Sequence, residues 1–201
     1  SAAHGCIEVD RHTRMKKNKR GWLEICAGVL LLAIAGSIAL ENGRRNAQAF
    51  AMSQVLLAAI DAQPASPTQK APCAPVDAQG ILGILEIPVL SLRLPVQTLY
   101  DEARLQNAPC RYPNTDASSS KLIVCGHNYR SQFASLHLLK RGDTLRFIDQ
   151  KGDVHAYTVS EIITIAQNDF SALEHGDWDL SLFTCTANQF RRVLVRCKID
   201  F

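Results

Sequence analysis

The sequence has 201 residues, a formal net charge of +3 and 47% hydrophobic residues. The first third of the chain lacks the pattern of a packed core, which leaves one domain of roughly 120 residues with room for a single active site. The charge is small and the basic residues cluster near the N-terminus, whereas nucleic-acid binding needs a basic patch along a recognition surface. We therefore expect no DNA or RNA partner.

An almost unbroken apolar stretch runs from Trp22 to Leu40, with Glu24 as its only acid. A helix of this length, at about 1.5 Å per residue, spans the hydrocarbon core of a bilayer. Basic residues are concentrated before the stretch, over Arg14–Arg20, and only Arg44 and Arg45 follow it closely. The positive-inside rule then predicts a cytoplasmic N-terminus, a single membrane pass and an extracellular remainder.

A cleaved signal peptide is the alternative interpretation of this stretch, because Ser37 and Ala39 are small residues at the spacing that a signal peptidase recognises. We favour a retained anchor. Residues 1–14 precede Met15, which with the lysines after it resembles a natural start. They are treated as added or upstream sequence and excluded from reasoning about the fold.

The segment after the apolar stretch changes character twice. Ala47–Ala62 is rich in alanine with apolar residues at helical spacing, which predicts a helical stalk or a partly ordered tether. Prolines from Pro64 to Pro75, interleaved with Ala, Ser and Gln, then prevent a helix from continuing. The expected organisation is a cytoplasmic segment, an anchor, a stalk with a linker, and a folded domain, at residues 1–21, 22–40, 41–79 and 80–201.

Short apolar runs separated by turn residues follow from Gly80 onward, a pattern typical of an all-β barrel or sandwich with short helices. Seven strands are predicted, at Gly83–Ile87, Leu92–Val96, Lys121–Cys125, Thr144–Ile148, His155–Ile165, Leu180–Thr184 and Phe190–Ile199. Helical turns are predicted near Asp101–Gln106, Phe133–Leu139 and Phe170–Glu174.

The last predicted strand has two distinct faces, because alternate side chains on a strand point in opposite directions. One face is apolar and is expected to join the core, through Val193, Val195, Cys197 and Ile199. Arg192 lies on the other face. It is therefore preferred over Arg191 as the arginine directed at an outer cleft.

Two motifs place reactive side chains at the ends of β-branched runs, where rigid strands can hold them toward one cleft. Leu122–Asn128 carries His127, and Ser181–Cys185 ends in Cys185 and is followed by Arg192. Neighbouring imidazolium and guanidinium groups lower the pKa of a thiol and favour the nucleophilic thiolate. An imidazole can also move protons, and a guanidinium can stabilise an oxyanion. These residue types predict thiol acyl transfer.

The folded domain resembles the sortases, membrane-anchored cysteine transpeptidases of Gram-positive bacteria. The matching segments cover nearly all of Gly80–Phe201 in the order of the family, at Gly83–Pro88, Leu94–Val96, Gly126–Asn128, Phe133–Leu139, Gly142-Asp143 and Ser181–Cys185 closing on Arg192. The resemblance implies a mainly β fold, a sortase-like closed β-barrel of about seven to eight strands with short helices.

Position by position, the resemblance assigns the catalytic histidine to His127, the nucleophile to Cys185 and the catalytic arginine to Arg192. Ser181 stands where the T-L-x-T-C motif of the family most often begins with threonine, so a hydroxyl is kept. Ser181, Thr184 and Asn128 are expected beside the substrate. The short spacing between Cys185 and Arg192 implies a tight hairpin, which resembles the class B, C and D branches more than class A.

The resemblance also implies the reaction, cleavage of an LPxTG-type sorting signal after its threonine, a thioacyl-enzyme on Cys185 and transfer to an amine. The expected partners are surface proteins with a C-terminal sorting signal, an amine acceptor from a peptidoglycan precursor or a pilin lysine, and the membrane. Gln167–Asp179 corresponds to the loop that shapes signal recognition in the family. Phe170, Leu173 and Trp178 are therefore predicted to influence the choice of peptide.

Asn128, Asp177 and Asp179 are alternative partners for orienting the histidine. Cys110 is interpreted as a loop thiol, whereas Cys125 and Cys197 are interpreted as core residues, and no disulfide pairing follows from the spacing. The sequence contains no C-x-x-C and no H-E-x-x-H motif, so a zinc site has weak support and no metal-binding residue is assigned. No cofactor is expected, and the sequence leaves metal dependence open.

Two other functions fit the same residues. A membrane-anchored cysteine protease or amidase would use the Cys-His-Arg set but release its product to water, and its turnover would not depend on an added amine. A catalytically silent, membrane-tethered binding module would use the barrel to bind a partner and would catalyse no reaction. The intact set of three residues argues against that second alternative.

Overall fold

The computed structural model describes residues 5–62, 80–113, 121–169, 171–186 and 190–200. The chain divides into two compact units, at residues 1–44 and 45–201. The first unit is helical from Gly5 onward, within the long helix α1 (Gly5–Asp61). From Gly21, this helix contains a segment that is long and apolar enough to cross a membrane, a property that signal sequences share.

The second unit contains the end of α1 and a closed barrel of eight strands. The strands are β1 (Ile81–Ile87), β2 (Leu92–Gln97), β3 (Cys110–Arg111), β4 (Leu122–Cys125), β5 (Thr144–Asp149), β6 (Val154–Ala166), β7 (Leu180–Cys185) and β8 (Arg191–Ile199). The short helices are α2 (Glu102–Leu105) and α3 (Ser171–Glu174), with 3-10 turns at Pro88–Leu90 and Leu136–Leu138. Around the barrel the strand order is β1-β2-β3-β4-β7-β8-β6-β5. The closed barrel confirms the predicted fold class.

All seven predicted strands and the three helical turns are present, and one strand, β3, was not predicted. Cys110, interpreted from the sequence as a loop thiol, belongs to this strand and is fully buried. It pairs with Gln97 of β2 on one side and with Cys125 of β4 on the other. A strand of two residues is too short to produce the alternation from which strands are recognised.

Two hydrophobic clusters lie on opposite faces of the sheet. The first fills the barrel and includes Val195 and Cys197 of β8, with Val193 and Ile199 packed against it, as the alternation predicted. The second cluster lies on the other face and contains Leu105, Cys110, Ile123, Cys125, Ile165, Leu173, Phe183 and Leu194. Other side chains of the second cluster therefore cover the outer face of β8 at Leu194, so this face is not exposed to solvent along its whole length.

The last turns of α1 pack on the barrel, although the sequence led us to expect a stalk or tether there. Ala49, Ser53 and Leu57 are buried and recur every four residues, so they occupy one face of the helix. Ser53 Oγ donates a hydrogen bond of 3.1 Å to the carbonyl oxygen of Asn107. Asn46 accepts a hydrogen bond from the backbone N–H of Ser131 at 3.2 Å. This face of α1 therefore contacts the loops that follow α2 and β4.

The end of α1 is fixed separately by a two-pronged ion pair. Arg93 of β2 donates hydrogen bonds of 3.0 and 2.8 Å to the two carboxylate oxygens of Asp61. The guanidinium holds the pKa of the Asp61 carboxyl below its usual value, mainly through these hydrogen bonds. Because both side chains are exposed to water, the pair contributes more to the position of the helix end than to stability.

Candidate active site

Cys185 and Arg192 are register partners on the antiparallel strands β7 and β8. Directly opposite residues of such a pair point to the same face of the sheet, with Cβ atoms about 5 Å apart. Cys185 is half-buried at the end of β7. The pairing therefore places a thiol beside a guanidinium at the rim of the barrel.

The guanidinium of Arg192 makes a hydrogen bond and a cation–π contact. Its Nε donates a hydrogen bond of 2.9 Å to the carbonyl oxygen of Gln167, in the segment that follows β6. Its central carbon lies 5.2 Å from the centroid of the Phe183 ring, a cation–π distance. A positively charged guanidinium held in this way is a group that can stabilise an oxyanion.

His127 reaches the same rim through the parallel pairing of β4 with β7. Cys125 pairs with Phe183, and the next backbone N–H, that of Gly126, donates a hydrogen bond of 3.1 Å to the Phe183 carbonyl oxygen. His127 follows one residue further along, in the loop that leaves β4 at the end where β7 reaches Cys185. The three predicted catalytic residues are therefore brought to one end of three adjacent strands.

The loop after β4 holds the backbone of His127 on both sides. The His127 N–H donates a hydrogen bond of 2.8 Å to Gln132 Oε1, and its carbonyl oxygen accepts one of 3.1 Å from the N–H of Phe133. Gly126 packs directly on the ring of Phe133, where a Cβ would come within 2.6 Å of Cδ2. The glycine before the histidine is thus required by close approach to the core.

The imidazole of His127 is partly buried, and burial lowers its pKa from the usual value of 6.5. The carboxylate of Glu102, with Oε1 at 3.8 Å from Nε2, opposes this effect. Among the described residues, Nε2 is buried without a hydrogen-bond partner. The ring centroid lies 4.9 Å from that of Tyr129. The site therefore favours a neutral imidazole whose Nε2 makes no hydrogen bond within the part of the chain that the structure describes.

A row of aromatic rings lies beneath the thiol and the guanidinium. Tyr112 makes edge-on contacts with Tyr100 at 5.4 Å and with Phe183 at 5.3 Å between ring centroids. Desolvation by burial raises the pKa of Tyr100, and the negative charge of Glu102 adds to the shift. Together with the Phe183–Arg192 contact, this row forms an apolar floor on the outer face of the barrel.

The predicted substrate residues of β7 are buried. Ser181 shares the face of Phe183 and Cys185 but lies at the far end of the strand, opposite Arg196. Thr184 is buried on the barrel side, and its Oγ1 has no hydrogen-bond partner among the described residues. The thiol therefore lies at the exposed end of an otherwise covered strand.

The predicted recognition residues occupy different surroundings. Leu173 is buried in the second cluster with Phe183 and Leu194, so it supports the floor of the site. Trp178 stacks on Arg196, with the guanidinium carbon 4.7 Å from the ring centroid. Since Arg196 is four residues from Arg192 along β8, the position that Trp178 contacts lies roughly 13 Å along the strand from Arg192. Phe170 lies outside the described residues.

The three candidates for orienting His127 have other surroundings. Asp177 pairs with Lys198 at 2.7 Å, and Asp179 accepts a hydrogen bond of 2.9 Å from the N–H of Ile199. Asn128 follows the histidine but makes no hydrogen bond to the imidazole in the part of the chain that the structure describes. The carboxylate beside the ring belongs instead to Glu102, in the first turn of α2.

Glu102 and Gln132 are the site residues that sequence reasoning missed. Glu102 follows Asp101, whose side chain accepts a hydrogen bond from the Ala103 N–H as a helix N-cap. The sequence contains this capping signal, but it does not indicate that α2 lies close to the histidine. Gln132 is fully buried, which its sequence neighbours do not indicate.

The fold and the three side chains together define a β-barrel protein equipped for thiol chemistry at its rim. A model of the Sortase domain matches residues 85–200, more than half of the chain. The chain therefore belongs to the sortase family. Sortase A of Bacillus anthracis is 25% identical over 119 residues, which are 57% of this chain and 56% of that protein. The match thus spans little more than half the length of this relative.

Solved structures of class C and class D sortases share the fold. Sortase C1 of Streptococcus agalactiae is 25% identical with a TM-score of 0.54, covering 63% of this chain and 71% of that one. Sortase C of Streptococcus pneumoniae is 21% identical with a TM-score of 0.56, covering 79% and 89%. A Clostridium perfringens sortase D5 is 19% identical with a TM-score of 0.53, covering 60% and 79%. These similarities agree with the branches expected from the short Cys185–Arg192 spacing.

Proposed function

We propose that this chain is a membrane-anchored cysteine transpeptidase that cleaves an LPxTG-type sorting signal and transfers the protein to an amine. The main support for the proposal is the register of β7 and β8, in which Cys185 lies opposite Arg192. The parallel pairing of β4 with β7 adds His127 at the same rim. This arrangement supports a nucleophile, a proton carrier and an oxyanion partner acting together.

In the first half of the reaction, Cys185 Sγ attacks the backbone carbonyl carbon of the threonine in the signal. The neutral imidazole of His127, favoured by burial, accepts the thiol proton. The developing oxyanion is stabilised by Arg192. The C–N bond then breaks, and the imidazolium donates its proton to the leaving amine, which gives a thioester on Cys185.

In the second half, an incoming amine gives a proton to His127 and attacks the thioester carbon. The C–S bond breaks, the new amide forms and the thiol regains its proton from the imidazolium. Transfer prevails over hydrolysis when the amine reaches the thioester before water does. A hydrolase would require that water reach the thioester as readily as the amine.

The substrates we propose are surface proteins with a C-terminal sorting signal, and the acceptor is a peptidoglycan precursor amine or a pilin lysine. Residues 1–21 would lie in the cytoplasm, residues 22–40 would cross the membrane and the barrel would face outward. The apolar segment of α1 supports this topology. We propose a substrate groove that begins at Cys185 and is influenced by Phe170, Leu173 and Trp178.

The test is intact-mass spectrometry of the full chain in detergent with a mixture of LPxTG-like peptides, with and without an added amine. We expect a mass increase that matches the N-terminal part of one peptide and that the amine discharges as an amide. Cys185→Ala should show no adduct, and Cys197→Ala, which changes a buried core thiol, should keep it. An adduct discharged equally fast by water alone would support the protease or amidase instead, and the absence of any adduct would support the silent module.

A further inference from the structure

Two cysteines outside the catalytic set face each other across adjacent strands. Cys110 of β3 and Cys125 of β4 are direct register partners in an antiparallel pair. Side chains of such partners point to the same face, and both cysteines belong to the second hydrophobic cluster. Both thiols are buried and free. Cys125 lies two residues before His127, which links the pair to the active-site end of β4.

The Cα spacing of this pair is compatible with a cross-strand disulfide. The Tyr112 N–H donates a hydrogen bond of 2.7 Å to the Ile123 carbonyl oxygen, so by alternation Cys110 and Cys125 form a hydrogen-bonded pair. Cα atoms of such a pair are about 5.5 Å apart, a common separation across protein disulfides. In the reduced protein the two thiols bond other groups: Cys125 Sγ donates to the Cys110 carbonyl oxygen at 3.4 Å, and Cys110 Sγ donates to the Ala108 carbonyl oxygen at 3.5 Å and accepts from Gln97 Nε2 at 3.6 Å. Formation of the bond therefore requires both side chains to turn toward each other.

We infer that Cys110 and Cys125 form a disulfide in the native protein. This inference rests on the proposed extracellular position of the barrel, where disulfides persist. The bond would form by thiol–disulfide exchange with the disulfide of an oxidoreductase or of an oxidised small thiol. One cysteine attacks that disulfide, the other displaces the mixed disulfide, and the two thiols lose two protons and two electrons as the oxidant becomes two thiols.

Burial determines when the exchange takes place. Desolvation raises the pKa of Cys110 to about 11 and that of Cys125 to about 12, so the folded protein contains little of the reactive thiolate at neutral pH. The bond therefore forms during folding, before the second cluster closes over the pair. Once formed, it is shielded from reductants. Cys185, at the rim, stays accessible and reduced for catalysis.

Cys197 provides a matched control. It is buried in the barrel cluster on the opposite face of the sheet, so it lies away from the Cys110–Cys125 pair. A disulfide between β3 and β4 would fix the strand that precedes His127 against β3. It would contribute to the placement of the imidazole without touching the substrate.

The experiment traps thiols in intact cells that make the full chain, with N-ethylmaleimide under denaturing conditions, followed by extraction and peptide mapping. We expect a linked pair of peptides containing Cys110 and Cys125 that separates on reduction, with Cys185 alkylated. Cys110→Ala and Cys125→Ala should each abolish the linked species, and Cys197→Ala should preserve it. Reduction should lower the Tm of the purified chain by about 10 °C, the effect expected for a closed loop of this size.

Alkylation of both cysteines in the wild-type chain, or a link from Cys110 to Cys73, would overturn the inference. The peptide map of the wild-type chain decides the matter even if a cysteine variant fails to fold. The measurement uses no substrate, so a failure of the proposed transpeptidation would not affect it. Conversely, an acyl-enzyme on Cys185 together with alkylation of both Cys110 and Cys125 in the native chain would support the proposed function and reject the disulfide.

Discussion

The backbone N–H of His127 donates a 2.8 Å hydrogen bond to the side-chain oxygen of Gln132. The same amide group donates from Nε2 to the carbonyl oxygen of Leu105 at 3.2 Å. Leu105 is the last residue of α2, the helix whose first turn carries Glu102. A single buried side chain thus fixes the histidine relative to the carboxylate that faces its ring.

Gln132→Leu should weaken both stability and activity. The His127 N–H would lose its acceptor in a buried place, at a cost of about 1–3 kcal/mol, and the imidazole would shift. We expect kcat to fall by roughly 10- to 100-fold, because small displacements of catalytic groups have effects of this size. Thermal unfolding and steady-state kinetics measure the two effects.

Gln132→Glu keeps an oxygen that can accept the His127 hydrogen bond and should recover part of the activity. Gln54→Leu, on the exposed surface of α1, is the control and should change neither quantity by much. A Gln132→Leu variant with normal kcat would show that this hydrogen bond does not position the histidine.

Arg192→Lys should reduce kcat by about 10²- to 10³-fold, the effect of removing one oxyanion donor. An ammonium group cannot reproduce the planar contact with Phe183 together with the Nε hydrogen bond to Gln167. Arg191→Lys is the matched change at the neighbouring exposed position and should have an effect below about twofold. Equal losses from the two variants would mean that the alternation along β8 does not identify the functional arginine.

The pKa of His127 should lie below 6.5 and should fall further in Glu102→Gln. Burial lowers the pKa of the imidazole, while the carboxylate of Glu102 raises it, so removing the carboxylate leaves burial unopposed. Histidine-selective NMR titration of the full chain in detergent measures both values. The resonances of His137 and His155 provide internal controls, and an unchanged His127 titration in the variant would contradict the assigned contact.

The same shift predicts how stability depends on pH. Because the folded imidazole has the lower pKa, the unfolded chain binds the proton first as the pH falls below about 6.5. The free energy of unfolding should therefore decrease through this range, and His127→Gln should remove that part of the decrease. Denaturant unfolding at several pH values measures it.

Gly126→Ala should destabilise the barrel by about 1–3 kcal/mol, since the added methyl group would overlap the ring of Phe133 in a filled core. Gly43→Ala adds the same methyl group at a helical position with nothing within 4 Å, and it should not destabilise the protein. Urea unfolding of both variants compares them. A stable Gly126→Ala variant with full activity would show that the loop before His127 can move without loss.

Sequence patterns predicted the elements with enough length to show a period. The alternation along β8 identified Val195 and Cys197 as core residues, and the apolar runs located the strand that precedes His127 and the strand that ends in Cys185. The short spacing between Cys185 and Arg192 predicted a likeness to class B, C and D sortases, and class C and D sortases are among the similar structures. These features are local, because they depend on residues close together in the chain.

What the sequence did not reveal depends on contacts between distant segments. The strand β3 has two residues and exists because β2 and β4 flank it. Leu194 is buried because Leu173 and Phe183 cover the outer face of β8, whereas alternation alone predicted an open cleft there. Glu102 lies near His127 only because α2 packs beside the loop after β4, and no motif in the sequence indicates this packing.

Two strand pairings form the site, and they differ in the number of residues that separate the paired strands along the chain. Cys185 and Arg192 belong to consecutive strands joined by a short hairpin, so their pairing closes a small loop at low entropic cost. His127 reaches the site because β4 pairs in parallel with β7. The strands β5 and β6 lie between these two strands in the chain. Pairings between distant segments form slowly. The thiol and the guanidinium should therefore meet early in folding, and the imidazole should join them only when the barrel closes, so that reactivity of the thiol develops last.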